Sequence, residues 1–387
     1  MCIRDRVQVV NGETINYERC LINNIRIGEG GNENEIGDGN SWGPLRDGSY
    51  IDDFRIYDRV LSTEEVEKLY NSQYIQKGSI SGSTDEYIAF KYNPDTAVSG
   101  QTEYTINFPQ ATDCEILIVG GGGGGGAVEV TNTSGTGAGG GGGGVIFLQN
   151  QTISTGTYTI KVGNGGEGDK KGDSTRTTGQ RGYNSSFSYL QTEAIGGGGG
   201  GTRFDGSGGD NTIGTSGGSG GGSSHNVSGS INNGGTGTVI NILKADGSTI
   251  IASNYRQGYN GGVTEYESPY SSGGGGAGGN GYGSADSPDD GAGGIGRAVE
   301  NEIDFKTHFN IPNDIGELHT DGKVYFAGGG GAGYRSNDTN HSAGGLGGGG
   351  SSTSGIAEME HLIQVVVVEG VEVVVLELVM EEMEVLV

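Results

Sequence analysis

The stretch Cys114–Ala127 reads CEILIVGGGGGGGA, an apolar strand that runs directly into seven glycines. In a dinucleotide-binding protein, a helix would follow the glycine turn and hold the pyrophosphate at its N-terminus, with an acidic residue about 20 positions further on. Residues 127–145 instead read AVEVTNTSGTGAGGGGGGV, which is β-branched and interrupted by glycine, so no helix can begin there. A P-loop is excluded as well, because no Gly-Lys-Ser/Thr follows the glycines. We therefore interpret these glycines as structural.

The pairing of a short apolar strand with a glycine run recurs along residues 85–355, which we interpret as one glycine-rich domain that follows a linker at 72–84. A disordered linker would not place Val-Ile-Leu strands beside each glycine run. Ordered glycine costs about 0.5–1 kcal/mol more than alanine in backbone entropy. Extended three-fold helices without Cβ atoms can offset that cost by packing side by side and hydrogen-bonding laterally. The sequence thus predicts a mainly β fold, a glycine-rich scaffold with polyglycine segments of polyproline-II-like geometry. The strand motifs are EYIAFKY (86–92), TEYTINFP (102–109), ILIV (116–119), VIFL (145–148), TYTIKV (157–162), EAI (193–195) and KVYFA (323–327).

Composition excludes several classes of function. Glycine accounts for 84 of the 387 residues and proline for only 6, which excludes a collagen helix. A net charge of −26 excludes a general phosphate-neutralising surface, so we expect no nucleic-acid partner. Cys20 and Cys114 are isolated and form no CxxC motif, which excludes a cysteine zinc site and a disulfide framework. Because no paired-carboxylate motif and no Ser/His/Asp arrangement stands out, we predict that the protein is not an enzyme and carries no cofactor in this region.

Both ends of the chain have an unusual composition. Met1–Arg6, MCIRDR, matches the translation of a common sequencing adapter, so we expect the natural N-terminus and any export signal to lie further upstream. Residues 356–387 are rich in Val and Glu, which is what glycine codons give when they are read one base late, and we expect a frameshift near Gly355. The literal alternative is an apolar, acidic and β-prone tail. Its glutamates interrupt it too often for a membrane span.

Residues 7–71 have an ordinary globular composition. Ile51–Ser62 reads IDDFRIYDRVLS, and a capping box then predicts a short helix over 62–71. This stretch closely resembles the C-terminal end of laminin-G/concanavalin-A-like lectin domains. The resemblance implies the remnant of a jelly-roll β-sandwich, a family that often binds glycans and sometimes calcium. Asp52 and Asp53 are its candidate metal ligands, but adjacent strand residues point to opposite faces, and fold-defining polar contacts are the alternative.

The glycine-rich domain also resembles a known group. The segments ATDCEILIVGGGGGGG (111–126), GTYTIKVGNGGEG (156–168) and KVYFAGGGGAGY (323–334) are similar to glycine-rich domains of environmental phage and bacterial surface proteins. Related glycine-helix bundles occur in phage tail-tip adhesins. The resemblance implies an extracellular, cell-surface or virion location. The group usually ends in an apolar strand after the last glycines, and we expect that strand to be absent here.

Tyrosines among Gly, Ser and Asn mark the candidate ligand-binding region, residues 254–289. Antibody binding loops have a similar composition, because tyrosine gives a large contact area at low entropy cost, and tyrosine rings also stack on sugars. We predict a receptor-binding protein whose partner is a cell-surface carbohydrate or surface protein, and a homotrimer if it is a tail fibre. Two alternatives are an exported structural matrix or fibre protein without a specific ligand, and part of a glycoside hydrolase whose catalytic domain lies upstream. The tyrosines could instead pack locally in a polar loop. The candidate ligand-binding residues are Tyr255, Tyr259, Tyr266, Tyr270, Tyr282 and Tyr334.

Overall fold

The computed structural model describes residues 74–79, 86–127, 137–169, 178–202, 213–224, 231–265, 271–284, 290–309, 315–333, 342–353, 356–357 and 364–368. All of them belong to one compact unit, Leu69–Val387. The predicted mainly β fold is confirmed, because antiparallel strands dominate these residues and helix is almost absent. The strands are β1 (Ile75–Ser79), β2 (Glu86–Phe90), β3 (Gln101–Phe108), β4 (Thr112–Val119), β5 (Val145–Ile153), β6 (Gly156–Gly163), β7 (Ser186–Phe187), β8 (Val239–Leu243), β9 (Ile250–Arg256), β10 (Val299–Glu300), β11 (Ile303–Asp304), β12 (Glu317–Leu318), β13 (Val324–Tyr325), β14 (Ser352–Thr353), β15 (Ile356–Ala357) and β16 (Gln364–Val368), and the helix is α1 (Phe305–Phe309).

The largest sheet has five strands in the order β1-β2-β16-β4-β5 and is buried on both faces. Ile116 and Ile118 of β4 are buried in one core, together with side chains of the three-stranded sheet β3-β6-β7. Leu117 and Val119 are buried on the other face in a second core that contains α1, where Phe147 contacts both phenylalanines of the helix edge to face. Burial on both faces explains why β4 reads as a continuous apolar run and does not alternate.

Several predicted strands are present, and two motifs form less structure than expected. The motifs within 86–92, 102–109, 116–119, 145–148 and 157–162 lie in β2, β3, β4, β5 and β6. The motif at 193–195 provides only an isolated bridge between Ala194 and Ser185. The motif at 323–327 contributes the two-residue strand β13. In both places the chain turns into a glycine segment, whose lateral hydrogen bonds replace a strand ladder.

The expected absence of an apolar strand after the last glycines is wrong in this structure. β16 lies in the centre of the five-stranded sheet, where Val366 is paired with Ile88 of β2 on one side and with Ile116 of β4 on the other. A run of four valines favours this position, because β-branched residues fit a pleated sheet. The frameshift near Gly355 stays a prediction.

The single helix among the described residues was not predicted. Asp304 caps α1, because its Oδ1 accepts a hydrogen bond from the backbone N–H of Thr307 at 3.0 Å. Phe305 and Phe309 then lie one turn apart and are both fully buried against the sheet. The helix predicted over 62–71 lies outside the described residues, as does the whole of 7–71.

The glycine runs form a bundle of extended segments that bond to one another mainly through the backbone. Every third amide of segment 120–127 donates to segment 137–144, and the amides one position further on donate to segment 178–183. The carbonyls of the next residues along the chain, Gly122 and Gly125, accept hydrogen bonds from amides of segment 163–169. A repeat of three residues with lateral hydrogen bonds is the geometry of a polyglycine three-fold helix. The bonds to 137–144 run from the amides of Gly120, Gly123 and Gly126 to the carbonyls of Gly144, Gly141 and Ala138, at 2.8 to 2.9 Å.

These positions require glycine because there is no room for a Cβ atom. All seven glycines of 120–126 have φ outside the positive region, so backbone conformation does not demand glycine there. A Cβ added to Gly123 would lie 2.1 Å from the carbonyl oxygen of Gly198, and one added to Gly143 would lie 1.8 Å from that of Gly120. The predicted reason for the glycines, contact between backbones, is therefore what the geometry shows.

Candidate functional site

The glycine segments alternate in direction, and this alternation gives the bundle two different ends. At one end the segments continue into β4, β5, β6, β8 and β9. At the other end lie the residues that flank seven stretches outside the described residues: 128–136, 170–177, 203–212, 225–230, 266–270, 285–289 and 334–341. We call this second end the loop end. Bonds that place the flanking residues together include Gly126 N to Ala138 O, Ala138 N to Gly201 O, Gly201 N to Gly222 O, Gly291 N to Gly283 O and Gly333 N to Gly137 O, at 2.8 to 3.0 Å.

A buried hydroxyl network joins four segments just below the loop end. Ser223 Oγ donates to the carbonyl of Asn232 at 2.8 Å, and Thr264 Oγ1 donates to the carbonyl of Ser223 at 2.7 Å. Ser272 Oγ donates to the carbonyl of Gly262 at 2.7 Å. These side chains are small enough to replace glycine at the edge of the bundle. They add hydrogen bonds to carbonyls, two of which, those of Asn232 and Ser223, also accept from a backbone amide. Sequence reasoning missed the network, although SS at 223–224 and 271–272 marks the ends of two glycine runs.

A groove of about 330 Å³, which we call the side groove, runs along segments 260–265 and 280–283 toward the loop end. Asn280 Oδ1 accepts from the backbone N–H of Asn260 at 3.1 Å, and Asn260 Oδ1 accepts from Gly237 at 2.9 Å. Both amide groups are thereby oriented with their NH₂ donors free of any bond among the described residues. The exposed carboxylate of Glu265 and the 39% exposed side chain of Val263 complete the lining. Two amide donors, a carboxylate acceptor and an apolar patch suit the hydroxyls and C–H face of a sugar.

The six candidate tyrosines lie at different levels of the bundle. Tyr282 is 42% exposed and lies between two glycines of the side groove. Tyr259 precedes Asn260 and carries the guanidinium of Arg256 over its ring at 4.8 Å. Tyr266, Tyr270 and Tyr334 lie outside the described residues, in stretches whose flanking residues form the loop end.

Tyr255 differs from the other candidates because it lies in β9, at the sheet end. Its hydroxyl accepts hydrogen bonds from the backbone N–H of Phe147 at 2.9 Å and from Arg297 Nη1 at 3.2 Å. Burial raises the pKa of Tyr255 to about 12, although the positive charge of Arg297 acts in the opposite direction. The structure therefore places this hydroxyl in an internal contact between β9 and β5.

A close pair of titratable groups lies between α1 and β4. His308 Nε2 contacts Glu115 Oε2, and the other carboxylate oxygen of Glu115 accepts from Gln149 at 3.1 Å. The pair connects α1 to the five-stranded sheet. No group of three His, Cys, Asp or Glu side chains in the described part of the chain could hold a metal ion. The candidate ligands Asp52 and Asp53 lie outside it.

The described residues contain no helix with the length and apolar character that a membrane crossing requires. The comparisons with known proteins cover the region that forms the bundle. A family model described as a glycine-rich domain matches residues 96–360. No curated protein matches the chain. The match includes β3 to β15 and all of the glycine segments.

Proposed function

Because the chain belongs to the glycine-rich domain family, we propose that it is a non-catalytic extracellular or virion-associated adhesin that recognises cell-surface glycans. The observation that carries this proposal is the loop end: seven stretches of chain leave and re-enter one end of a backbone-bonded bundle. Binding residues are commonly found on loops that a rigid scaffold positions. These stretches are rich in Ser, Asn, Thr, Asp and Tyr, which supply adaptable hydrogen bonds and aromatic contact area.

The side groove supports a carbohydrate as the ligand. Its free amide donors and the carboxylate of Glu265 can bond to neighbouring sugar hydroxyls. Tyr282, between the lining residues Gly281 and Gly283, is 42% exposed and available for stacking on a sugar. The flanking residues of the stretch that holds Tyr266 and Tyr270 adjoin this groove, since the backbone N–H of Glu265 donates to Ser284 Oγ at 2.9 Å. We propose that the groove and the loop end form one continuous binding surface.

The sequence resemblances to lectin domains and to phage surface proteins extend the proposal. Residues 7–71 are proposed to be the C-terminal part of a laminin-G-like lectin domain, in which Asp52 and Asp53 would be the candidate calcium ligands. As a tail fibre the protein would be a homotrimer, with its loop ends directed at the host surface.

The test is to replace Tyr266, Tyr270 and Tyr334 together with alanine and to measure binding of the full chain to a glycan array. We expect binding to fall while the melting temperature stays unchanged. Tyr183→Ala is the control, because Tyr183 is 40% exposed and lies at the sheet end of the bundle, where its carbonyl accepts from Gly121. Undiminished binding by the triple variant would contradict the proposed site, and no binding by the parent chain would favour the structural matrix role.

A further inference from the structure

A second depression lies at the sheet end of the bundle and does not involve the loop end. It measures about 400 Å³, a size that accommodates one or two sugar units. We call it the basic cleft. Its polar lining consists of Arg256, Tyr259, Arg297, Glu300, Lys323 and Tyr325.

Arg297 forms the rigid floor of the basic cleft. Its guanidinium is buried and donates to the carbonyls of Ala277, at 2.9 Å, and Arg256, at 2.8 Å. It also forms an ion pair with Glu300 at 3.1 Å. All sides of the Arg297 guanidinium are thus occupied by protein groups. Its hydrogen bond to the Arg256 carbonyl fixes the backbone from which the Arg256 side chain extends.

Two other cations in the basic cleft lack an acidic partner. Arg256 is exposed, and its guanidinium lies over the ring of Tyr259 at 4.8 Å, a cation–π contact. Neither Arg256 nor Lys323 forms an ion pair among the described residues. The chain as a whole has a net charge of −26, so two cations without an ion pair in one cleft are unusual, and they are suited to binding an anion.

The acidic groups near the basic cleft are already engaged. Glu300 is paired with Arg297. Asp321 accepts hydrogen bonds from the backbone N–H of Lys323 at 3.0 Å and from the Tyr325 hydroxyl at 2.8 Å. Neither carboxylate lies within ion-pair distance of the Arg256 guanidinium or the Lys323 ammonium, and Asp321 acts on Lys323 only at longer range, so both cations remain available for an anion from outside.

The rim of the basic cleft adds apolar surface and a strained turn. Ile295 and Val299 are 40% and 38% exposed and can contact the C–H face of a pyranose. Next to Glu300, Asn301 and Glu302 both have positive φ, 48° and 68°. These φ values are those of the two-residue turn that joins β10 to β11 beside the cleft.

We infer that the basic cleft binds an acidic sugar, a pyranose that carries a carboxylate or sulfate group, with the anion on Arg256 and Lys323 and the ring against Tyr259 and Ile295. This site is separate from the proposed function of the loop end, and either can fail without the other.

The experiment titrates the full chain with D-glucuronic acid, D-glucose 6-sulfate and D-glucose, and follows binding by calorimetry. We expect one or both charged sugars to bind at least about tenfold more tightly than glucose, and comparison of the two shows whether carboxylate or sulfate is preferred. Arg256→Gln and Lys323→Gln should each weaken the charged sugars by about tenfold. Arg181→Gln is the matched control, since Arg181 is also exposed and forms no ion pair within the described part of the chain, but lies in segment 178–183.

Three results would overturn the inference: equal affinity for glucose, unchanged affinity in both cleft variants, or binding of inorganic sulfate as tight as that of the sugar sulfate. The triple tyrosine variant should retain its affinity for the acidic sugar, which separates this site from the loop end.

Discussion

Replacing Gly123 with alanine tests whether contact between backbones holds the bundle together. The added Cβ would lie 2.1 Å from the carbonyl oxygen of Gly198 and 2.5 Å from its carbonyl carbon. Both neighbours are backbone, so no side-chain rotation can relieve the clash. The segments that contain Gly123 and Gly198 must move apart.

The size of the effect follows from the hydrogen bonds at this position. Gly123 donates to Gly141 at 2.8 Å, and Gly141 donates to Gly198 at 2.7 Å, all within the buried part of the bundle. Each buried group left without a partner costs about 1–3 kcal/mol, so losing both bonds costs about 4 kcal/mol. Alanine restricts the unfolded chain and returns about 0.4–1 kcal/mol. The expected net loss is about 3 kcal/mol, or a fall of about 6 °C in melting temperature for a domain of this size.

Thermal unfolding followed by calorimetry gives the comparison, and two other glycines provide a graded series. At Gly168 an added Cβ would lie 3.6 Å from its nearest neighbour, and at Gly330 it would lie 3.3 Å away. Gly168→Ala should be neutral or more stable by up to about 1 kcal/mol, and Gly330→Ala should fall between the other two. If Gly123→Ala melts with the parent chain, or if the three variants do not follow this order, close packing of backbones is not what stabilises the domain.

Three further perturbations address single contacts. Tyr255→Phe should cost about 1–3 kcal/mol at neutral pH, because the buried N–H groups that bond to the phenol, including that of Arg297, lose their acceptor. The folded pKa of Tyr255, about 12, lies above the unfolded value of about 10, so its contribution to stability is complete below pH about 10 and is lost as the pH rises through about 12. Denaturant titrations from pH 8 to 12 should therefore show a smaller alkaline loss in the variant than in the parent, and parallel curves would contradict this account. Glu302→Gly should stabilise the fold by about 1 kcal/mol. Asn301 and Glu302 form a two-residue hairpin turn with positive φ, in which glycine is preferred. An unchanged denaturation midpoint would show that the turn is not strained. Ser223→Ala should cost about 0.5–1.5 kcal/mol, because the bond from Ser223 Oγ to the Asn232 carbonyl is lost while the Thr264 amide keeps its own bond to that carbonyl; an unchanged denaturation midpoint would contradict this.

The sequence alone predicts the strands and the role of the glycines where local pattern determines the structure. β4 and β5 are continuous apolar runs beside glycine, and period-three packing follows from the missing Cβ atoms. The position of β16 could not be predicted in this way, since it depends on pairing with β2 and β4, which lie more than 200 residues earlier in the chain.

The candidate site was predicted less well than the fold, because residues close in sequence lie at different levels of the bundle. Tyr255 and Tyr282 belong to one tyrosine-rich stretch, yet the first is internal at the sheet end and the second is exposed, between two glycines that line the side groove. Arg256 and Lys323 are far apart in sequence and meet only because β9 and β13 adjoin the same cleft. The periodicity of the sequence cannot predict that two residues so far apart in the chain line the same cleft.

The three-residue repeat of the bundle also restricts how its segments can change in length. An insertion of one residue into a glycine run turns everything after it by about 120° and directs each amide at the wrong neighbour, whereas three residues add one whole turn of about 9 Å and restore every direction. Segments without side chains cannot oppose a slip past one another. Among the described residues, the strands at one end and side chains such as those of Ser223 and Thr215 fix their alignment. The bundle can therefore grow only in whole turns, and only when neighbouring segments lengthen together.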